Sequence, residues 1–205
     1  MTTSQTPPTR TASSPRKVAK GLLMPTLAAR LLRAPRGPGS SAVLVAQAFS
    51  WGGDLALNER SRGRFLAGLS SFLIAHVAYI AAFRRRSSTP VLASPGRRRF
   101  LAAGTTMSAA MALAAARTDR SLAAPVAVYA TTLSAMVASA AAVDRDRGRE
   151  QLLTGAALFL VSDTLIGVRK FLAGDRGTLL DAGVLSTYAA AQWCIVEGMR
   201  RGPRD

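Results

Sequence analysis

The sequence predicts an all-α, polytopic transmembrane helical bundle of about seven spans, and three observations predict it. Long apolar runs follow one another with almost no charge inside them. Short arginine clusters, among them Arg84, Arg85, Arg86 and Arg97, Arg98, Arg99, punctuate the runs. The breaks themselves read as tight polar turns, as in Ala34-Pro35-Arg36-Gly37-Pro38-Gly39 and Asp144-Arg145-Asp146-Arg147-Gly148-Arg149. A bilayer offers no water to backbone groups, so a chain that crosses it does so as helices and leaves its charge to the loops.

Residues 1–16, rich in Thr, Ser and Pro without apolar periodicity, are expected as a disordered polar tail. A single transmembrane domain is expected over 17–201, and a short C-terminal tail over 202–205. The candidate spans are 18–33, 41–58, 65–83, 99–116, 121–143, 151–170 and 178–199. Lys20, Pro25 and Arg30 interrupt the first, and no A-x-A cleavage site follows it, so it reads as a retained helix rather than a signal peptide. The third holds no charge other than a possible one on His76, and the fifth holds none. At about 1.5 Å per residue each span is taken as able to cross a hydrocarbon layer of roughly 30 Å. The fourth and fifth, dominated by Ala, Ser, Thr and Gly, read as packing scaffold, because small residues let membrane helices approach closely.

The net charge of +16 would by itself suggest nucleic acid or an anionic membrane surface. The clustering of the charge between apolar runs, and the scarcity of aromatic residues to stack on bases, select the membrane. Alternating the loops puts 15 basic residues on the side of the C-terminus and 12 on the other, which tips the C-terminus towards the cytoplasm. The location expected is multi-pass in a membrane, the cell membrane if the source is bacterial. Cys194 is the single cysteine and His76 the single histidine, so neither a disulfide framework nor a zinc site is expected. A phosphate-binding Gly-rich loop, a dinucleotide fingerprint and a G-x-S-x-G elbow are absent too. No metal and no organic cofactor is therefore expected.

Ionisable groups inside a span cost about 2.5–3.5 kcal/mol on insertion scales and usually face the bundle interior. Here they are Lys20, Asp54, His76 and Asp163, accompanied by the polar Gln47, Tyr79, Tyr188 and Gln192. Following the chain back and forth places Lys20, Asp54 and Asp163 in one half and His76, Tyr188 and Gln192 near mid-depth, so these residues are expected to line one cavity opening to one side. His76 and Tyr79, three apart, and Tyr188 and Gln192, four apart, each share a helix face. The blander reading stands beside this one: Asp54 as an interfacial carboxylate, Asp163 paired with Lys20 or Arg169, His76 as a packing residue, and Tyr188 with Gln192 as interhelical glue. Trp51 and Trp193 read as interface anchors or packing residues.

Five blocks, in order, resemble the YhhN family of membrane proteins. They are Lys20-Gly21-Leu22-Leu23-Met24-Pro25, Ser50-Trp51-Gly52-Gly53-Asp54, the run Gly68 to Ile80, Leu158 to Leu165, and Thr187 to Trp193. The resemblance implies an all-helical membrane fold of about eight spans. It implies lysoplasmalogenase activity as well: cleavage of the vinyl ether of a lysoplasmalogen to a fatty aldehyde and a glycerophospho-alcohol. This chain has Lys20-Gly21 where the family usually has Lys-Pro, and a polar tail where the family usually has a further span, hence seven spans rather than eight.

Vinyl ether hydrolysis needs a proton donor for the β-carbon and a partner for water, roles that two carboxylates in different surroundings can fill. Asp163 is expected as donor and Asp54 as base, with Lys20, His76, Tyr79, Tyr188 and Gln192 binding substrate. The partners expected are a lysophospholipid and membrane lipids, without nucleic acid. The alternative is a non-enzymatic transporter of a small solute or lipid that uses the same buried carboxylates, and a third reading is a bundle whose polar residues merely fix helix packing.

Overall fold

The computed structural model describes residues 15–57, 61–171 and 177–201, with side chains over 21–57, 61–171 and 182–201. Seven helices make up nearly all of it: α1 (Pro15–Leu32), α2 (Ser40–Ala56), α3 (Arg62–Arg84), α4 (Pro95–Thr118), α5 (Ala123–Ala140), α6 (Arg149–Phe171) and α7 (Gly177–Arg200). Each expected span corresponds to one of them. Short 3-10 turns at Val91–Ala93, Arg120–Leu122 and Arg145–Arg147 join them, and no strand occurs among the described residues. The tail expected over 1–16 lies outside the described residues, except that Pro15 and Arg16 begin α1; residues 202–205 lie outside them as well.

The helix starts follow local chemistry. Ser61 caps α3 by accepting from the Arg64 amide at 3.2 Å. Pro95 opens α4 directly after Ser94, where its missing N–H costs nothing. Gly39 and Gly148, at φ +86° and +83°, form the turns into α2 and α6. Both turns are pressed against neighbouring backbone, Gly39 on Ala82 and Gly148 on Gly198, so a side chain there would meet both backbone strain and a clash.

Helix packing forms a ring: α1 on α2, α2 on α3, α3 on α5, α5 on α6, α6 on α7, and α7 back on α1. α4 stands outside it, packed on α5 and lightly on α6. The interior is filled by Phe72, Tyr79, Phe83, Met136, Phe159 and Ile195. Three helical stretches, Arg62–Arg84, Arg120–Ala140 and Arg149–Phe171, are long and apolar enough to cross a membrane by length and composition. α2 has 17 residues, a rise of about 26 Å against the roughly 30 Å needed, and α4 opens on Arg97, Arg98 and Arg99 before a run of small polar residues.

One end of the bundle, called distal here, is where α3 and α7 finish and α2 and α6 begin. It is tied together by Arg86, which is only 2% exposed. The guanidinium donates to the carbonyls of Pro38 (3.0 Å), Arg147 (3.0 Å), Gly198 (3.2 Å), Arg201 (3.0 Å) and Met199 (2.6 Å). Those acceptors include the orphan carbonyls at the end of α7, so one side chain caps a helix and joins three connections. Next to it the amide and hydroxyl of Ser88 both donate to Asp144, at 3.1 and 2.7 Å, and hold its carboxyl below the usual carboxylate range.

Arg86→Met leaves buried carbonyls without a donor, at about 1–3 kcal/mol for each one that water cannot reach. The expected loss is about 2–5 kcal/mol, or roughly 5–15 °C in thermal unfolding in detergent micelles. Arg86→Lys recovers only part of it, because an ammonium lacks the planar fork. Arg85→Met, at an exposed neighbouring position, stays within about 0.5 kcal/mol.

Candidate functional site

Helical spacing brings the site residues together. α2 presents Gln47, Ser50 and Asp54 at intervals of three and four; α3 presents Phe72, His76 and Tyr79 in the same way. α6 contributes Phe159 and Asp163, α7 contributes Tyr188 and Gln192, and α5 contributes Tyr129. Gly53 lets α3 close on α2, since a Cβ there would stand 2.6 Å from the Phe72 ring.

Asp54, 3% exposed, accepts from the Tyr188 hydroxyl at 2.8 Å. Asp163, with 8% of its side chain exposed, accepts from the Tyr129 hydroxyl at 2.5 Å, and the same oxygen lies 3.7 Å from Nε2 of the fully buried His76. Deeper in the bundle the Tyr79 hydroxyl donates to Oε1 of Gln192 at 2.5 Å, and Nε2 of Gln192 donates to Ser50 at 3.3 Å. Phe159 is the hub around which these groups are set. Its ring meets His76 at 4.8 Å, Tyr188 at 5.4 Å, and Tyr79 and Phe72 at 6.2 Å each, all in edge-to-face geometry. The path from one carboxylate to the other thus runs Asp54, Tyr188, Phe159, His76, Asp163, and Tyr188 lies within electrostatic reach of both acids. Both ring nitrogens of His76 and both side-chain heteroatoms of Gln47 are buried without a hydrogen-bond partner among the described residues.

Beside this cluster a cleft runs between α3, α4, α5 and α6, with about 800 Å³ of space between atoms, part of it open to the outside. Its walls are apolar apart from a few groups, of which Asp163 is the one acid among the described residues. The expectation of one cavity lined by all the polar residues is corrected here. Asp163 and Tyr129 line this cleft, whereas Asp54, His76, Tyr79, Tyr188 and Gln192 are packed in the core behind it. Lys20 belongs to α1 near the end where Asp54 sits, since the carbonyl of the adjacent Gly21 accepts from Trp51 at 3.1 Å; its side chain lies outside the described residues. Among the described residues Asp163 has Tyr129 and His76 as neighbours, and the expected pairing with Lys20 lies outside them. Trp193 packs under Arg30, 4.6 Å from its ring, and Arg30 also bonds Glu197 at 2.6 Å.

A sequence profile described as the YhhN family matches residues 16–199, nearly the whole chain. The chain belongs to the YhhN family. No curated protein and no solved structure matches it.

For this YhhN protein the sequence singled out most of the cluster but not Tyr129 or Ser50. Tyr129 lies in a span of small residues that reads as scaffold. A signal was available all the same: the chain has three tyrosines and one histidine, and all four stand in this cluster. Among the described residues no group of three or more His, Cys, Asp or Glu could hold a metal.

The Tyr188–Asp54 bond is checked by a double-mutant cycle. Tyr188→Phe removes the donor from a buried carboxylate and is expected to cost about 1–3 kcal/mol in thermal unfolding. In the Asp54→Asn background the same change should cost less by more than about 0.5 kcal/mol, the lower bound for residues that interact directly.

Proposed function

We propose that the protein is a multi-pass membrane hydrolase of the lysoplasmalogenase type. The observation that carries this reading is Asp163: one acid, braced by a tyrosine, on the wall of an otherwise apolar cleft that suits a lipid chain. Family membership supports it, since the characterised members that the sequence resembles cleave lysoplasmalogens.

The reaction adds one water across a vinyl ether, R–CH=CH–O–R′. Asp163 delivers its proton to the β-carbon, and the electron pair of the ether oxygen moves in to form an oxocarbenium ion. Water attacks the α-carbon and gives up its proton to Asp54 by way of the Tyr188 hydroxyl, which takes that proton as it passes its own to the carboxylate, forming a hemiacetal. Collapse returns the hemiacetal hydroxyl proton to Asp163, while the C–O bond to the glycerol breaks and the leaving oxygen takes the proton from Asp54. The products are R–CH₂–CHO and HO–R′, and both carboxyl groups end as they began. Asp163 is assigned the donor role because it faces the cleft; Asp54, behind Tyr188, serves as the base. Tyr129 orients the donor, and His76 and Tyr79, with Gln192, fix the packing that holds both acids in place.

Insertion into the bilayer is checked first. The protein should stay with membranes through high salt and alkaline carbonate, because apolar helices and not surface charge retain it; release into the soluble fraction would sink the membrane reading. For the chemistry, Asp163→Asn should cut aldehyde release from a lysoplasmalogen by about 10²- to 10⁴-fold, the usual range for a general acid, while thermal unfolding changes little. A loss below about tenfold, or one matched by a loss of stability, rejects the donor role. Solute counterflow without any aldehyde would select the transporter instead.

A further inference from the structure

Among the described residues the cleft that reaches Asp163 narrows towards both of its ends, with Lys170 exposed at the proximal one. At the proximal end Phe65 meets Phe171 edge-on at 6.4 Å, and the Lys170 ammonium lies 4.0 Å over the Phe65 ring. Met111, Val126 and Leu122 complete that apolar plug. At the deep end α4 and α5 approach so closely that a Cβ on Gly104 would stand 2.6 Å from the Ser134 hydroxyl. Between the two, the exposed members of the lining are Met107 of α4, 60% exposed, and Thr164 of α6. α4 and α6 touch only lightly, with Met111 against Gly167 on the proximal side of this gap.

The height of the gap says what it faces. Met107 is eleven residues, about 16 Å, from the end of α4 at Thr118, and Thr164 seven residues, about 10 Å, from the end of α6 at Phe171. The helices around it carry exposed apolar side chains, among them Leu113 of α4 (65% exposed), Val128 of α5 (53%) and Val161 of α6 (47%). In a bilayer an opening at that height meets hydrocarbon rather than water. Lys170 lines the proximal end of the cleft, seven residues or about 10 Å along α6 from Asp163. A lysophospholipid has the matching order: an anionic phosphate, a three-carbon glycerol, the ether bond, then one chain.

We propose that the gap between Met107 and Thr164 is a side door through which the protein takes its lipid directly from the bilayer. The phosphate lies by Lys170, the ether bond by Asp163, and the far part of the chain trails out between α4 and α6, remaining in the membrane while the bond is cut. The identity of the lipid rests on the lysoplasmalogenase reading; the door rests on the cleft.

The probe is a 1-O-alkyl lysophosphatidylcholine, which has no vinyl ether to cleave, carrying a photoactivatable diazirine midway along its chain. It is crosslinked to the purified full chain in phosphatidylcholine vesicles, and the label is mapped by peptide mass spectrometry. Labelling is expected on the segments holding Met107 and Thr164. Met107→Trp and Thr164→Trp, one from each bank of the gap, should each cut that labelling by about tenfold, an effect of about 1.4 kcal/mol on affinity. Both should raise KM for aldehyde release with kcat within about twofold, as for an interaction made equally in ground and transition states. Unaltered thermal unfolding of the Trp variants ties the loss to the gap. Label on other helices, or label at the gap undiminished in both Trp variants, overturns the door. Gap labelling by a protein that releases no aldehyde keeps the door and sinks the hydrolase reading, and aldehyde release with label elsewhere does the reverse.

Discussion

The buried guanidinium of Arg86 is the constraint from which the arrangement of the polar core follows. It fixes the end of α7 against the end of α3 by direct bonds to Gly198 and Met199. Counting back from that knot, Tyr79 lies seven residues down α3 and Gln192 six residues down α7, about 10 and 9 Å at the helical rise. The two side chains arrive at the same depth and bond at 2.5 Å. A shift of one residue in either helix would turn its polar group by roughly 100° and break the match. Arg30, gripping Glu197 and lying over Trp193, holds α7 to α1 at the same level.

Below this anchor the aromatic cluster divides the bundle into two environments. Phe159 and its neighbours stand between Asp54, bonded to Tyr188 in the core, and Asp163, bonded to Tyr129 on the wall of the cleft. Each acid has a tyrosine of its own. The phenols satisfy carboxylates that burial would otherwise leave short of hydrogen bonds, and the rings around them exclude water. In the proposed reaction, surroundings that differ in this way let two identical side chains take opposite roles.

The sequence makes the elements legible because charges and turn residues bound nearly every apolar run; the run 121–143, for instance, appears as the turn Arg120–Leu122 followed by α5. The grouping of Asp54, His76, Tyr79, Asp163, Tyr188 and Gln192 could be read from helical spacing and depth. Arg86 could not. It sits in a triplet with Arg84 and Arg85, and only tertiary packing decides that the third of the three turns inward. Tyr129 was hidden for a related reason, because a run of small residues advertises close packing and not chemistry. The exclusion of α4 from the ring, which leaves room for the cleft, depends on which helices pair, a property that no single run records.

Closure of the ring by α7 against α1 bears on how the protein is made. Helices leave the ribosome in order, so α2 and α3 reach the membrane while Tyr188, Gln192 and the carbonyls that Arg86 caps are still unsynthesised. Until the last helix arrives, Asp54 lacks its phenol and Tyr79 its amide. Nascent chains lacking α7 would therefore lack both of these interhelical bonds. Completion of the C-terminal helix is thus the step that converts a set of inserted helices into a finished molecule.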